Sequence, residues 1–431
     1  MHFVVRVTQH PHPLPIAIAI VLLSLLSQKW LLAQEVRLQA IQFHNRPSFP
    51  DPLGVAGPLV GGHDSFLIVA GGANFAAPND PQLWSLPKRY LQHVWIARCT
   101  TDSIQWLADE PTWRLDQPIA YSAVASFADG VICLGGEDSE GATSRAFMLR
   151  VSLMNGMIHL IQDDHAVPDL PQASTSGCAV IHDSYLYVLP GQVTKADGSS
   201  EPSGVLWRLP LAAIGQQHRD ASSGNDTLWE TMVPPAEFLP RTHAMLTVQA
   251  GKVYVLGGRR FEPQSDTSDP ANLKFFRDVW SFDPSAYEGR KRTSHSNRTA
   301  SQLAWRQESL SPVPMSAGTA LPISDQRIAV LSYADGSRIA QALRQGVAME
   351  DFDHPGFPLQ SWIYDTKQKS WTAFDLPVNQ VTTPAIRHGE RMFLISGEIR
   401  PRVRTTRCWE IRESNGLSDR ESGGVRPTVR D

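Results

Sequence analysis

Residues 397–407 read Gly-Glu-Ile-Arg-Pro-Arg-Val-Arg-Thr-Thr-Arg, so one carboxylate, Glu398, stands among Arg400, Arg402, Arg404 and Arg407. A carboxylate surrounded by guanidinium groups is kept ionised and oriented, as a general base must be. Arginine is also the planar clamp for a carboxylate on a small molecule. The segment therefore suits acid–base work on an acidic sugar or a similar anion, although a solvated ion-pair cluster has the same composition. Polar residues follow related glycine-ended runs elsewhere: Asn74, Glu137 with Asp138, Gln192, Arg259 with Arg260, and Asp335. If those runs converge, Asn74, Glu137, Arg259 and Arg400 would line a polar pocket around Glu398 and Arg404. Among them Arg259 is the expected second anion contact, and Glu137 or a water the expected proton donor.

The elements that must bring these residues together are β-strands. A short apolar run ending in glycine recurs six times: Phe66–Gly72, Val131–Gly136, Leu186–Gly191, Val253–Gly258, Ile328–Tyr333 (which lacks both glycines) and Met392–Gly397. Successive runs lie 55–75 residues apart. A second apolar strand precedes most of them, as in Tyr121-Ser-Ala-Val-Ala. An aromatic strand and then a Trp follow, as in Asp278-Val-Trp-Ser-Phe-Asp283 and Trp305. Four short strands repeated at a roughly fixed period predict propeller blades. The glycines end an inner strand where chains approach closely, and the Trp fills the wedge between sheets. Cys408–Ile411 reads as the third strand of the sixth blade, with no fourth strand after it. The orphan segment Glu35–Ile41 is expected to complete that blade and close the ring, removing open edges. The inserts 261–275 and 287–300 are polar and turn-rich, and are expected to be surface loops.

The chain has 431 residues, 39 Lys and Arg, 43 Asp and Glu, and a formal net charge of −4. With 42% hydrophobic and 19% charged residues it is not a disordered chain. The near-neutral balance carries no electrostatic footprint for nucleic acid. Residues 1–33 have a weakly basic start, an apolar middle from Ile16 to Leu26 and a small residue at Ala33. That is the order of a cleaved export signal, which places the mature protein in a periplasmic or extracellular space. No later stretch reaches membrane-spanning length. The domains are thus a signal peptide at 1–33, an all-β six-bladed propeller at 35–412 and a disordered polar tail at 413–431. Cys99, Cys133, Cys178 and Cys408 are far apart and lack the paired spacing of a zinc site. They read as free thiols in strands.

The strand pattern resembles the Kelch repeat. The segment Gly397-Glu398-x-Arg400-Pro401-x-Val403-Arg404-Thr405 resembles the characteristic stretch of the Kelch-type N-acetylneuraminate epimerase (sialic acid mutarotase) family, with seven positions matched in nine. The opening Leu53-Gly-Val-Ala-Gly-Pro-Leu and the run to Phe75 are similar to a cyclically permuted branch, which carries this motif in its last blade. His93 stands where that branch has an Asp. The resemblance implies an exported six-bladed propeller, an isomerase that interconverts the anomers of sialic acid without metal or other cofactor. It implies Glu398 as proton acceptor and Arg404 as a substrate-binding or charge-stabilising residue. The alternative is a non-catalytic carbohydrate- or protein-binding propeller. A sialidase is disfavoured because no Ser-x-Asp-x-Gly-x-Thr-Trp repeat is present, and a copper oxidase because Cys99, His243 and His388 build no recognisable ligand set.

Overall fold

Every one of the six apolar runs becomes the second strand of a four-stranded antiparallel sheet. The computed structural model describes residues 41–76, 85–108, 110–216, 228–262, 272–292, 296–324, 326–347 and 353–413. The chain divides into two compact units, residues 43–411 and a second made of residues 1–42 with 412–431. Of the second unit only residues 41, 42, 412 and 413 are described, each at the end of a strand.

The first sheet runs Leu59–His63, Phe66–Ala70, Val94–Cys99, Ile104–Trp106, and the second Ala123–Phe127, Gly130–Leu134, Ala146–Met154, Met157–Asp163. The third runs Cys178–His182, Tyr185–Leu189, Leu206–Pro210, Glu230–Met232, and the fourth Met245–Gln249, Lys252–Leu256, Asp278–Phe282, Trp305–Leu310. The fifth runs Ser316–Ser324, Arg327–Ala334, Gln360–Asp365, Ser370–Asp375. The sixth joins Ile386–His388, Arg391–Ile395 and Cys408–Glu413 to Ile41–Arg46.

Burial explains the residue types. The second strands Phe66–Ala70 and Gly130–Leu134 are buried at every position, because neighbouring sheets cover both their faces. One apolar cluster joins Phe393 and Ile395 of the sixth sheet to Ile68 of the first and Val131 of the second. Further clusters bridge the second and third sheets, the third and fourth, and the fourth and fifth. Outer strands are wetter: Met157–Asp163 has no fully buried residue. Aromatic anchors fill the gaps, as where Phe49 meets Trp95 edge-on at 4.6 Å and Phe282 lies 5.4 Å from Trp305.

A circuit of backbone hydrogen bonds links one residue from each sheet, five of them preceding the first strand and Ala317 within Ser316–Ser324. Tyr121 N donates to Gly57 O, Ser176 N to Tyr121 O, His243 N to Ser176 O, Ala317 N to His243 O, Thr382 N to Ala317 O, and Gly57 N to Thr382 O. The last bond returns to the starting residue. All six residues have φ between 53° and 61°, a conformation that is uncommon outside glycine. Glycine-ended turns tie the first, second, fourth and sixth sheets to the next sheet in the same way. Gly258 N donates to Met315 O, and Gly397 N to Val55 O. A Cβ on Gly257 would lie 2.0 Å from Met315 O, which excludes any larger residue there.

The sequence expectations need four adjustments. The strand beside Cys408–Glu413 is Ile41–Arg46 rather than 35–41, and residues 35–40 lie outside the described residues. Phe43 sets its register by meeting Trp409 edge-on at 6.3 Å. The insert 287–300 is largely helical, not a loop. Helix Pro284–Lys291 starts with Pro at its first position and Asp283 accepting from Ala286 N at 2.9 Å. Helix Asn297–Ala304 follows, and Tyr287, Ala300 and Ala304 are buried in the apolar cluster between the third and fourth sheets. In the insert 261–275, Leu273–Phe275 pairs with Arg259–Phe261 as a small hairpin, and residues 263–271 lie outside the described residues. Glu413, expected as the first residue of the tail, is instead the last residue of strand Cys408–Glu413, and the rest of the tail, 414–431, lies outside the described residues with the signal segment 1–33. Among the described residues no helix is long and apolar enough to cross a membrane. The four cysteines are free, all in strands, with Cys133 and Cys408 buried.

Candidate functional site

The connection between second and third strands carries the polar residues. In the first, third, fourth and sixth sheets it folds into a small hairpin: Ala73–Asn74 with Arg89–Tyr90, Gln192–Thr194 with Ser200–Pro202, Arg259–Phe261 with Leu273–Phe275, and Glu398–Arg400 with Val403–Arg404. Each hairpin is anchored by one antiparallel bridge to the residue preceding the hydrogen-bonded circuit. Ala73 bridges Ala56, Glu137 bridges Ala120, Arg259 bridges Thr242 and Glu398 bridges Val381; Gln192 pairs with Thr175. Glu137, Arg259 and Glu398 therefore occupy equivalent places, as their positions after the glycine turns predict.

All six circuit residues also line a cavity of about 450 Å³ between the first strands. The first strands add apolar lining from Val124, Ile181, Leu246 and Leu321 and polar lining from Ser126, Thr247, Thr319 and Arg387. Tyr121 and His243 are the large polar side chains of the circuit itself.

Glu398 and Arg404 face each other across their hairpin. Glu398 Oε1 lies 2.9 Å from Arg404 Nη1, with side-chain exposures of 15% and 2%. The contact is an ion pair whose angle falls outside hydrogen-bond geometry, so Nη1 keeps a free donor direction. Arg404 Nε donates to Ala73 O at 3.1 Å. Both Arg404 and Arg402 stack over Phe75, at 4.6 and 4.5 Å from the ring centre. Arg402 also donates to Leu86 O at 3.3 Å.

Arg259 lies across the circuit. Burial lowers its pKa, while the charge of Glu398 pulls it the other way. Arg259 Nη2 is 3.3 Å from His243 Nε2. Because arginine can only donate, Nε2 is the accepting nitrogen, and the ring proton sits on Nδ1, 2.9 Å from Thr242 Oγ1. Burial, then the charges of Arg259 and Lys88, hold His243 well below the usual imidazole range. His243 is thus neutral at neutral pH.

Glu137 belongs to a neighbouring cluster. Its Oε1 accepts from Lys88 Nζ at 2.9 Å and Tyr90 Oη at 2.8 Å, and its Oε2 from Thr175 Oγ1 at 3.1 Å. Lys88 Nζ sits 4.8 Å from the centre of the Tyr121 ring and so joins the two clusters. Asn74 is wholly buried; its Nδ2 donates to Gly54 O at 3.2 Å, and its Oδ1 has no partner. Arg400 is not brought to this group. It pairs with the exposed Asp353 at 2.7 Å. Asp335 turns back to its own chain, accepting from Ser337 N and Oγ ahead of helix Ser337–Arg344.

Sequence reasoning missed Tyr121, His243 and Lys88. Tyr121 and His243 were visible only as the first residues of apolar strands. Aligning the six repeats would put them in one column with Gly57, Ser176, Ala317 and Thr382, where two large polar residues stand out. Lys88 stands outside the repeated strand runs and leaves no such signal. Among the described residues no group of three or more His, Cys, Asp or Glu side chains gathers as a metal site would.

No protein-family model matches the chain. A curated relative, the N-acetylneuraminate epimerase of Yersinia enterocolitica serotype O:8 / biotype 1B, is 33% identical over 114 residues. The match takes in 25% of this chain and 27% of the relative, so the chain spans about a quarter of that relative's length. The solved structure of YjhT superposes with a TM-score of 0.51 at 12% identity, covering 86% of this chain and 97% of that one. At that identity the likeness speaks for the fold alone, and it bears out the propeller character of the sheets.

Proposed function

Taking as premise the resemblance to N-acetylneuraminate epimerases, which the curated relative bears out, we propose that this chain is a sugar-acid mutarotase. It would interconvert the anomers of N-acetylneuraminate or a related acid. The fold proposed is one six-bladed propeller closed through its N-terminal strand. The six four-stranded sheets and the circuit of bonds returning to Gly57 support that reading. The leader-like order of residues 1–33 supports export.

The observation that carries the function is the Glu398–Arg404 ion pair within reach of Tyr121, which lines the cavity, with Arg259 within electrostatic reach. Opening the cyclic hemiketal needs a base at the anomeric hydroxyl and an acid at the ring oxygen. Glu398 takes the hydroxyl proton as the anomeric carbon becomes a carbonyl and its bond to the ring oxygen breaks. Closure on the opposite face of the carbonyl returns that proton from Glu398 to the new anomeric oxygen. The free donor direction of Arg404 Nη1 binds the substrate carboxylate in a charge-assisted contact, and Arg259 opposes it as a second cation. Asn74 Oδ1 and Glu137 supply acceptors for hydroxyl and amide groups of the sugar. Arg400 is an outer contact that would exchange Asp353 for a substrate anion. The reaction consumes no cofactor.

The test is NMR of freshly dissolved crystalline β-N-acetylneuraminate with the mature protein. The wild type should bring up the α-anomer faster than the spontaneous rate, and Glu398→Gln should cut that acceleration by about 100-fold or more. Sugar binding without acceleration would instead make the chain a binding propeller.

A further inference from the structure

We propose that Tyr121 is the proton donor to the ring oxygen in this reaction, a role that rests on the mutarotase reading above. Tyr121 lines the cavity as a member of the hydrogen-bonded circuit. Its place is prepared by the neighbouring member, Gly57. A Cβ on Gly57 would lie 2.5 Å from Tyr121 Cδ1, so the ring occupies the space that a side chain there would take. Lys88 Nζ covers the ring at 4.8 Å. The phenol lies within electrostatic reach of Glu398, in polar contact with Arg404, and within reach of Glu137. Tyr90, Arg259 and Arg402 face it from the other hairpins. Base and acid thus lie within electrostatic reach of one another, as ring opening requires.

The surroundings also settle the direction of transfer. Burial, then the charge of Glu398, push the Tyr121 phenol above its ordinary range. It therefore holds its proton in the resting enzyme. As the bond from the anomeric carbon to the ring oxygen breaks, its electron pair goes to that oxygen, which takes the phenolic proton. The phenolate formed is stabilised by Arg404. On closure the sugar hydroxyl attacks the carbonyl and returns its proton to Tyr121, while Glu398 protonates the new anomeric oxygen. No proton or electron is gained or lost over the cycle.

The experiment is the same NMR assay with Tyr121→Phe and with trifluorotyrosine at position 121, beside the wild type. Tyr121→Phe should slow the catalysed rate by about 100-fold while sugar binding, read by saturation transfer, stays within about threefold. The fluorinated phenol ionises at lower pH. It should create an alkaline fall in rate that the wild type lacks, which a merely structural tyrosine would not do. Acceleration by the wild type with full activity in Tyr121→Phe would overturn the role of Tyr121 alone. No acceleration by the wild type would overturn it together with the mutarotase reading.

Discussion

Two glutamates twelve residues apart in the sixth sheet, Glu398 and Glu410, both sit against arginines, yet their surroundings differ completely. Glu410 is fully buried and saturated. Its Oε1 accepts from Arg391 Nε at 2.8 Å, and its Oε2 from Arg46 Nε at 2.7 Å and Arg391 Nη2 at 2.5 Å. Arg391 donates onward to Thr100 O and Ser103 O of the first sheet. This cluster binds the last sheet to the first and leaves the carboxylate nothing else to do. Glu398 has one arginine, at an angle that forms no hydrogen bond, and lies within electrostatic reach of Tyr121, which lines the cavity. The contrast teaches how to sort like residues: a saturated dry carboxylate is structural, and an unsaturated one at a cavity is available for chemistry.

The sharpest way to break this comparison is Glu410→Gln. It leaves two guanidinium groups around an uncharged centre and should cost about 3–5 kcal/mol of stability, read as a drop in the urea midpoint. The rate per folded molecule should be unchanged. The mirror experiment is Glu398→Gln, which should cut the rate by about 100-fold or more while costing less stability than Glu410→Gln, because Glu398 pairs with one arginine where Glu410 holds two. Equal losses of stability in the two variants would refute the distinction.

A third, smaller effect concerns acid. His243, His354 and His388 all have pKa values lowered first by burial. The unfolded chain therefore binds protons on these groups near pH 6.5 while the folded chain resists them. Stability should fall as pH drops below about 6.5. The urea midpoint between pH 7 and 5 checks this, and His243→Gln should flatten the slope. The smallest effect is expected at Arg400, whose partner Asp353 is exposed. Arg400→Ala should cost less than about 1 kcal/mol of stability and change the substrate concentration for half-maximal rate only modestly. A large effect would move Arg400 into the working site.

Much of this was legible from residues alone. The six strand runs were readable because each is a short apolar segment ended by a turn, and all six became second strands. Glu137, Arg259 and Glu398 could be grouped because repeats put equivalent residues in equivalent places. The helices at 284–304 were missed because their polar residues mask Tyr287, Ala300 and Ala304, the few that pack inward. Arg400 and Arg404 look interchangeable in the sequence. A register irregularity between Glu398 and Arg400 sends them apart: Arg404 lies across from Glu398 in the hairpin, while Arg400 turns out to Asp353.

The sequence by itself determined the sheet-forming repeats, the glycine turns and the concentration of arginines around Glu398, because these follow from local periodicity and backbone sterics. Tertiary structure decided which charges meet. Tyr121 stands beside Glu398 and Arg404 although some 280 residues of chain separate them. Only the circuit of backbone bonds, with the space left at Gly57, brings the phenol there. Electrostatic and hydrogen-bonding partners act over a few ångströms in space, whatever their distance along the chain.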